Sequence, residues 1–447
     1  MTSTDPHPTP MTDSVYQSSD YQRSRRAYCM QAAFEYFIAI LVSDAYLAKL
    51  LTHIGLDDSL IGIIASFISA AFLFQLTAVF CVQRIKNVKR TVIFFNILGC
   101  LLFSGLYLIP FLPGSVAFKS VLVIVCLLLA YFGNYFVASM LFKWANSFVD
   151  PHKRGEYSAA KEMISLLSGM VFTLIVGMVI DRFEALDRLT AGFLFIACAG
   201  LILSVCCLIC LLMVKGDVKK AEAEAAPAET AAPRHTMRQV LANTLGNRSF
   251  VNVVILTSLW NIAQYLTVGF LGTFKTTDLL LSVGSIQLIN IGSNLVRFCI
   301  SKPFGRYSDK TSYARGMQLA MVISALGFFA NVFTTKSTWW FIIIYTVLHN
   351  ASFAGTNQNS YNILYSYVDA DYFVEAMAIK NSIAGVIGFA ASLVGAKILS
   401  AVQHNGNVLF GIPLYGQQLL SLISCIMVLI CIVFLRRVID KQAVMKQ

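Results

Sequence analysis

Ser147-Phe-Val-Asp-Pro-His-Lys-Arg-Gly-Glu-Tyr-Ser-Ala-Ala-Lys161 recurs without a gap as Ser366-Tyr-Val-Asp-Ala-Asp-Tyr-Phe-Val-Glu-Ala-Met-Ala-Ile-Lys380. Ser, Val, Asp, Glu, Ala and Lys repeat in register. The register runs on into the apolar stretch that follows, where Ser165, Gly169, Thr173 and Gly177 align with Ala384, Gly388, Ser392 and Ala396. Residues four apart share a helix face, so each copy predicts a helix with a ridge of small side chains, and the chain is predicted to be two halves built on one plan. In lipid, helices associate by close packing, which such ridges permit. Gly62, Ser66 and Ala70 form a similar ridge. All three ridges are expected at the seam between the halves.

Hydrophobic residues make up 57% of the 447 residues and charged ones 13%, against about 45–50% and about 25% in soluble domains. One globular core cannot absorb that excess. Runs of roughly 20 apolar residues read as spanning helices, because only intrahelical hydrogen bonds satisfy the backbone in hydrocarbon. Twelve are predicted: Ala32–Thr52, Leu60–Val82, Thr91–Pro110, Val121–Phe142, Tyr157–Ile180 and Thr190–Val214, then Phe250–Phe274, Leu280–Ile300, Met317–Phe333, Trp339–Asn359, Phe373–Ile398 and Pro413–Leu435. The expected organisation is a disordered tail (1–31), a six-helix bundle (32–214), an Ala/Glu/Pro-rich linker (215–248), a second six-helix bundle (249–436) and a short tail (437–447).

Lys and Arg crowd one side of this arrangement, from Arg23, Arg25 and Arg26 through Lys89 and Arg90 to Arg436 and Arg437; the other side offers Lys119, Arg182, Arg188, Lys275 and Lys336. Cytoplasmic loops carry such an excess, which predicts a multi-pass protein of the plasma membrane with both termini cytoplasmic. Basic loops facing an anionic leaflet account for the net charge of +11, so no nucleic-acid partner is expected. Cysteines such as Cys100, Cys207 and Cys425 fall inside apolar runs and are expected to be free thiols, with no metal site. Patterns for ATP binding, zinc hydrolysis or a serine nucleophile are not found in the sequence.

Between the eighth and ninth runs stands Gly305-Arg-Tyr-Ser-Asp309-Lys310-Thr-Ser-Tyr-Ala-Arg315. It resembles the G-x-x-x-D-R/K-x-G-x-x-R signature of the major facilitator superfamily, as do the twelve runs, the central linker and the half-length repeat. The resemblance implies an all-α membrane protein of twelve transmembrane helices in two pseudo-twofold-related six-helix bundles. It also implies a cytoplasmic gate in which Gly305 permits close approach while Asp309, Lys310 and Arg315 form an ionic latch. The first-half counterpart, Cys81-Val-Gln-Arg-Ile85-Lys86-Asn-Val-Lys89-Arg90, has Cys for the Gly and Ile for the Asp, so the carboxylate role does not transfer there. Patterns typical of drug antiporters and sugar porters are missing from the fifth run and from Met213 to Lys220. The repeated Asp150, Glu156 and Lys161, with Asp369, Glu375 and Lys380, are expected at the same gate, either stabilising helix N-termini or exchanging partners across the seam.

A secondary active transporter working by alternating access, not an enzyme, is the function this implies. Asp44, near the middle of the first run, is expected to face the pathway and bind the coupling proton, since an unpaired charge there is costly; pairing with Lys49 or a backbone group is the structural alternative. Glu35 falls on the other face, near the boundary. Further pathway candidates are Asn134 and Tyr135 on the fourth run, Asn261, Gln264 and Tyr265 on the seventh, the stripe Gln287, Asn290, Asn294 and Arg297 on the eighth, and His349 and Asn357 on the tenth. Amides beside aromatic rings suit hydroxyl-bearing ligands, and Arg297 suits a carboxylate, so a small polar organic solute is expected, a sugar or sugar acid ahead of others. The expected partners are this solute, protons and the bilayer, with the protein a monomer and no cofactor. Alternatives are a proton-coupled exporter of drugs or metabolites, a membrane-embedded enzyme acting on a lipid-linked substrate, and a sensor that binds without transporting.

Overall fold

Polar caps mark where the apolar runs begin. Ser18, Asp57, Asn87, Asn247, Ser282 and Ser312 each accept a hydrogen bond from a backbone N–H in the first turn of the helix that follows, satisfying donors that a helix leaves free. The computed structural model describes residues 18–81, 85, 87–146, 148–149, 154–215, 246–368, 373–409 and 411–440. The first half comprises α1 (Ser19–Leu41), α2 (Asp44–Ile54), α3 (Asp58–Ala65), α4 (Phe67–Cys81), α5 (Val88–Gly105), α6 (Val116–Asn146), α7 (Arg154–Ala185) and α8 (Leu189–Met213). The second comprises α9 (Arg248–Tyr265), α10 (Val283–Lys310), α11 (Tyr313–Asn331), α12 (Phe341–Tyr365), α13 (Phe373–His404) and α14 (Gly416–Phe434). A single antiparallel pair, Val408–Leu409 with Ile412–Pro413, turns the chain between α13 and α14.

Among the described residues, ten stretches are long and apolar enough to cross a membrane, and α1 with α2, bent by 45° at a break, makes an eleventh. The twelfth expected span, α12, has 25 residues, about 37 Å at 1.5 Å per residue, but too polar a composition to join them. Its polar side chains turn to neighbouring helices: Asn350 Nδ2 donates to Ser293 Oγ (2.6 Å), Asn359 Nδ2 to Ser308 Oγ (3.0 Å), and His349 Nδ1 lies 3.2 Å from Ser324 Oγ. On the outward faces stand large apolar side chains such as Phe298 and Ile202, 70% and 65% exposed, which suits hydrocarbon and not water.

The first boundary differs from expectation. α1 begins at Ser19, so residues 19–31, expected in the tail, are helix. Ser24, Ala27, Tyr28 and Gln31 are buried; Arg25 donates to the Phe148 carbonyl and Tyr157 to that of Arg25. These contacts offset the ordering entropy that composition alone would leave uncovered. They also put the start of α1 on the same face as Lys215, whose ammonium pairs with Asp20 at 3.1 Å, and as the Tyr367–Ile439 contact near the C-terminus. We call this the termini face and its opposite the far face.

Part of each small-residue ridge faces the seam: a Cβ at Gly388 would stand 2.7 Å from Ser69 Oγ of the other half. Ser69 Oγ donates to the Gly385 carbonyl and Ser382 Oγ to that of Phe72, joining α4 to α13. A Cβ at Gly177 would stand 3.2 Å from Cα of Gly284, joining α7 to α10. Part of the α7 ridge serves its own half instead: Gly169 abuts Tyr36, and the Thr173 carbonyl accepts from the Tyr46 hydroxyl. At Gly62 a Cβ would overlap the ring of Phe270 in the other half. Gly62→Val is therefore expected to cost about 1–3 kcal/mol, the usual range for overpacking, read as a lower melting temperature of the purified protein in detergent.

Candidate functional site

The first span of each half is interrupted beside the seam. After Leu41 the chain breaks, and Asp44 opens α2 with φ +43°, a conformation L residues adopt at a cost. The Leu41 carbonyl freed by the break accepts from the Tyr107 hydroxyl. In the second half α9 ends at Tyr265 and the chain runs on through a 3-10 turn (Val268–Phe270), one α turn (Leu271–Thr273) and a π turn (Phe274–Asp278). Irregular backbone at membrane depth is tolerated where protein or a cavity encloses it. Here the two interruptions face each other: Lys275 Nζ lies 2.9 and 2.8 Å from the Asp44 carboxylate oxygens.

Lys275 was expected in an exposed loop and is instead buried, 6% exposed. The π turn extends the seventh span past Phe274 and carries the ammonium inward. Asn290 Nδ2 donates to the same carboxylate at 3.2 Å and to Gln287 Oε1 at 3.3 Å. Lys49, the partner considered for Asp44, pairs with Glu184. Asp44 thus has a salt-bridge partner from the opposite half.

From this pair a cavity of about 550 Å³ extends between the halves toward the termini face. The first half supplies Asp44, Phe72 and Tyr131; the second supplies Trp260, Asn261, Gln264, Tyr265, Lys275, Asn290, Tyr345, His349, Asn350, Phe353, Asn357, Tyr361, Lys380 and Asn381. His349 is stacked on Tyr345 and edge-on to Phe328 and Phe353. Rings and amides therefore share the wall with aliphatic side chains such as Leu47, Ile61 and Met317, the mixture expected of a site for a polar organic ligand.

Beyond Asp44 the halves are tied at the far face. Asp181, on α7, accepts from the backbone N–H groups of Val283 and Gly284 at 2.8 Å each, at the start of α10. Gln403 Nε2 on α13 donates to Asp58 Oδ2 on α3 at 2.9 Å. Other hydrogen bonds between described residues of the two halves lie at the Asp44 cluster and at mid-depth, where α4 meets α13.

Of the expected pathway residues, Asp44, Asn261, Gln264, Tyr265, Asn290, His349 and Asn357 line the cavity. The others do not. Asn134 packs against Gly99, Tyr135 sits edge-on to Phe72, Gln287 supports Asn290 from behind, and Arg297 lies over the Phe353 ring at 5.7 Å; Asn294 is half-buried on the same stripe. A helix face broader than the cavity wall explains the split: one edge of the stripe reaches the cavity and the rest meets neighbouring helices. Glu35 accepts from Gln31, beside Asn96, within the first half.

In this conformation the expected latch is not formed among the described residues. Asp309 and Lys310 are exposed, and Arg315 Nε meets Asp440 Oδ2 at 3.8 Å within its own half; among the described residues neither these nor Gly305 bridge to the first half. Lys161 lies over the Tyr28 ring, also within one half. Lys380, its repeat counterpart, is in the cavity, since α13 lines the seam from Lys380 onward while α7 turns that position toward α1. The side chains of Asp150, Glu156, Asp369 and Glu375 lie outside the described residues.

The sequence matches a family model described as Major Facilitator Superfamily over residues 27–300. Comparison with curated protein sequences finds no match. Among solved structures, the nucleoside transporter NupG superposes with a TM-score of 0.71 at 12% identity, covering 92% of this chain and 99% of that one. A bacterial homologue of the human lysosomal transporter Spinster gives 0.65 at 12% identity, over 96% and 97%. A D-xylose–proton symporter gives 0.63 at 12% identity, over 92% and 97%. At such identities the likeness is one of fold.

Proposed function

Because the chain belongs to the major facilitator superfamily, we propose that it is a secondary active transporter that moves a small polar organic solute by alternating access, coupled to protons through Asp44. The observation that carries this reading is the cavity at the seam with an ion pair between the two halves at its far end. In this reading the conformation is closed at the far face and leads to the termini face, which the excess of Lys and Arg makes the cytoplasmic one. The solute enters the cavity among Trp260, Asn261, Tyr265 and Asn357. Protonation of Asp44 removes the charge that holds Lys275, loosens the bridge between the halves and allows the far face to part. Export of a metabolite uses the same cycle in reverse.

Uptake into proteoliposomes, with a panel of sugars, sugar acids, organic acids and cationic drugs and with or without an inward proton gradient, tests the proposal. Saturable accumulation of a polar solute, abolished by a protonophore, is the expected result. Binding to the purified protein without flux in either direction points to a sensor and ends the transport reading.

A further inference from the structure

The cavity is not neutral. Apart from His349, the described residues of its lining include three charged side chains, Asp44, Lys275 and Lys380. Two of them cancel, with the Lys275 ammonium held by both oxygens of Asp44. Lys380 has no such partner among the described residues: it is 3% exposed, donates to Ser360 Oγ at 3.2 Å and lies over the Tyr361 ring at 5.6 Å. Among the described residues no carboxylate stands within salt-bridge distance of it. An ammonium has three donors, and a hydroxyl with a ring face compensates only part of the several kcal/mol that burying an ion costs. Lys380 lies seven residues into α13, about 10 Å from its termini-side end, so this unmatched charge stands on the entry side of the cavity while the neutralised pair closes the other end.

We propose that the solute is an organic monoanion whose carboxylate seats on the Lys380 ammonium, with its hydroxyl-bearing or apolar body against Trp260, Asn261, Tyr265 and Asn357. One unpaired lysine matches one negative charge; a phosphate ester, with nearly two, would leave charge uncompensated. The proposal rests on the transporter reading for its place in the cycle, and on the cavity alone for its chemistry.

Matched probes test it: glucuronate against glucose, galacturonate against galactose, and glucose 6-phosphate, each titrated against the purified full chain by thermal shift and then used in proteoliposome counterflow. The acids are expected to raise the melting temperature with half-saturation at least tenfold below that of their neutral parents. Lys380→Gln should erase that preference and Lys380→Arg keep it. Without ligand, Lys380→Gln should melt no lower than the unsubstituted protein, because an uncompensated buried charge has been removed. Equal response to acid and neutral sugar, no response to any probe, tighter binding of the phosphate ester, or an acid preference that survives Lys380→Gln overturns the proposal. A ligand-free melting temperature lowered by several degrees does so as well, by assigning Lys380 to holding α12 against α13. Acid-selective binding without counterflow sinks the transport reading and leaves this one standing, whereas counterflow of neutral sugars alone does the reverse.

Discussion

Asp44→Asn is expected to abolish pH-driven accumulation while exchange of solute across the membrane persists. The substitution keeps the size and one acceptor but removes the group that takes a proton, so the bridge to Lys275 no longer changes with protonation. Proteoliposomes loaded with solute and diluted into labelled solute at equal pH report exchange; an imposed gradient reports accumulation. Undiminished uphill uptake in this variant would remove Asp44 from coupling. The partner gives a complementary result. Lys275→Met leaves a carboxylate facing no cation, and breaking a buried pair typically costs about 3–5 kcal/mol; the low end applies, since the Asp44 side chain is 29% exposed to the cavity. The double variant with Asp44→Asn should recover most of that stability without recovering coupling, which separates the structural from the transport role of the pair.

Asp181→Ala is expected to shift the protein toward conformations open at the far face. Its carboxylate accepts two backbone N–H groups at the first turn of α10, across the seam, where a helix N-terminus favours negative charge. Hydrogen bonds to a charged group contribute about 1.5–3 kcal/mol each. Loss of the pair therefore moves the equilibrium between closed and open far face by roughly 10²-fold or more. Spin labels at Asp187 and Lys336, in far-face connections of opposite halves, should report a longer distance population in the variant, and Asp181→Asn, which retains an acceptor but not the charge, should fall between. An unchanged distance distribution would show that Asp181 does not hold the far face closed.

The repeat made the two-half plan and the small-residue seam legible in the sequence, because ridge spacing survives where side-chain identity drifts. It misled at Lys380: equal sequence position in two halves does not give equal surroundings, and α13 faces the cavity at a level where α7 packs on α1. The break before Asp44 had no Gly or Pro to announce it, so the first span read as continuous. Lys275 was missed because the apolar run stops at Phe274, and only the π turn brings the next residue inside. One signal could have found it: a carboxylate in the first span requires a cation, and Lys275 is the basic residue at the end of the corresponding span in the other half. The amides of the seventh and tenth spans converge on one cavity, as their clustering in the sequence suggests, while on α10 periodicity defines a face but not how much of it a cavity claims.

The composition of α12 also bears on biogenesis. A segment carrying His349, Asn350, Asn357 and Asn359 gains little by partitioning alone from an insertion channel into lipid. Asn350, Asn359 Nδ2 and His349 find their partners in Ser293 and Ser308 of α10 and Ser324 of α11. α11 and α12, joined by the nine residues 332–340, are therefore expected to enter the bilayer together as a hairpin against α10.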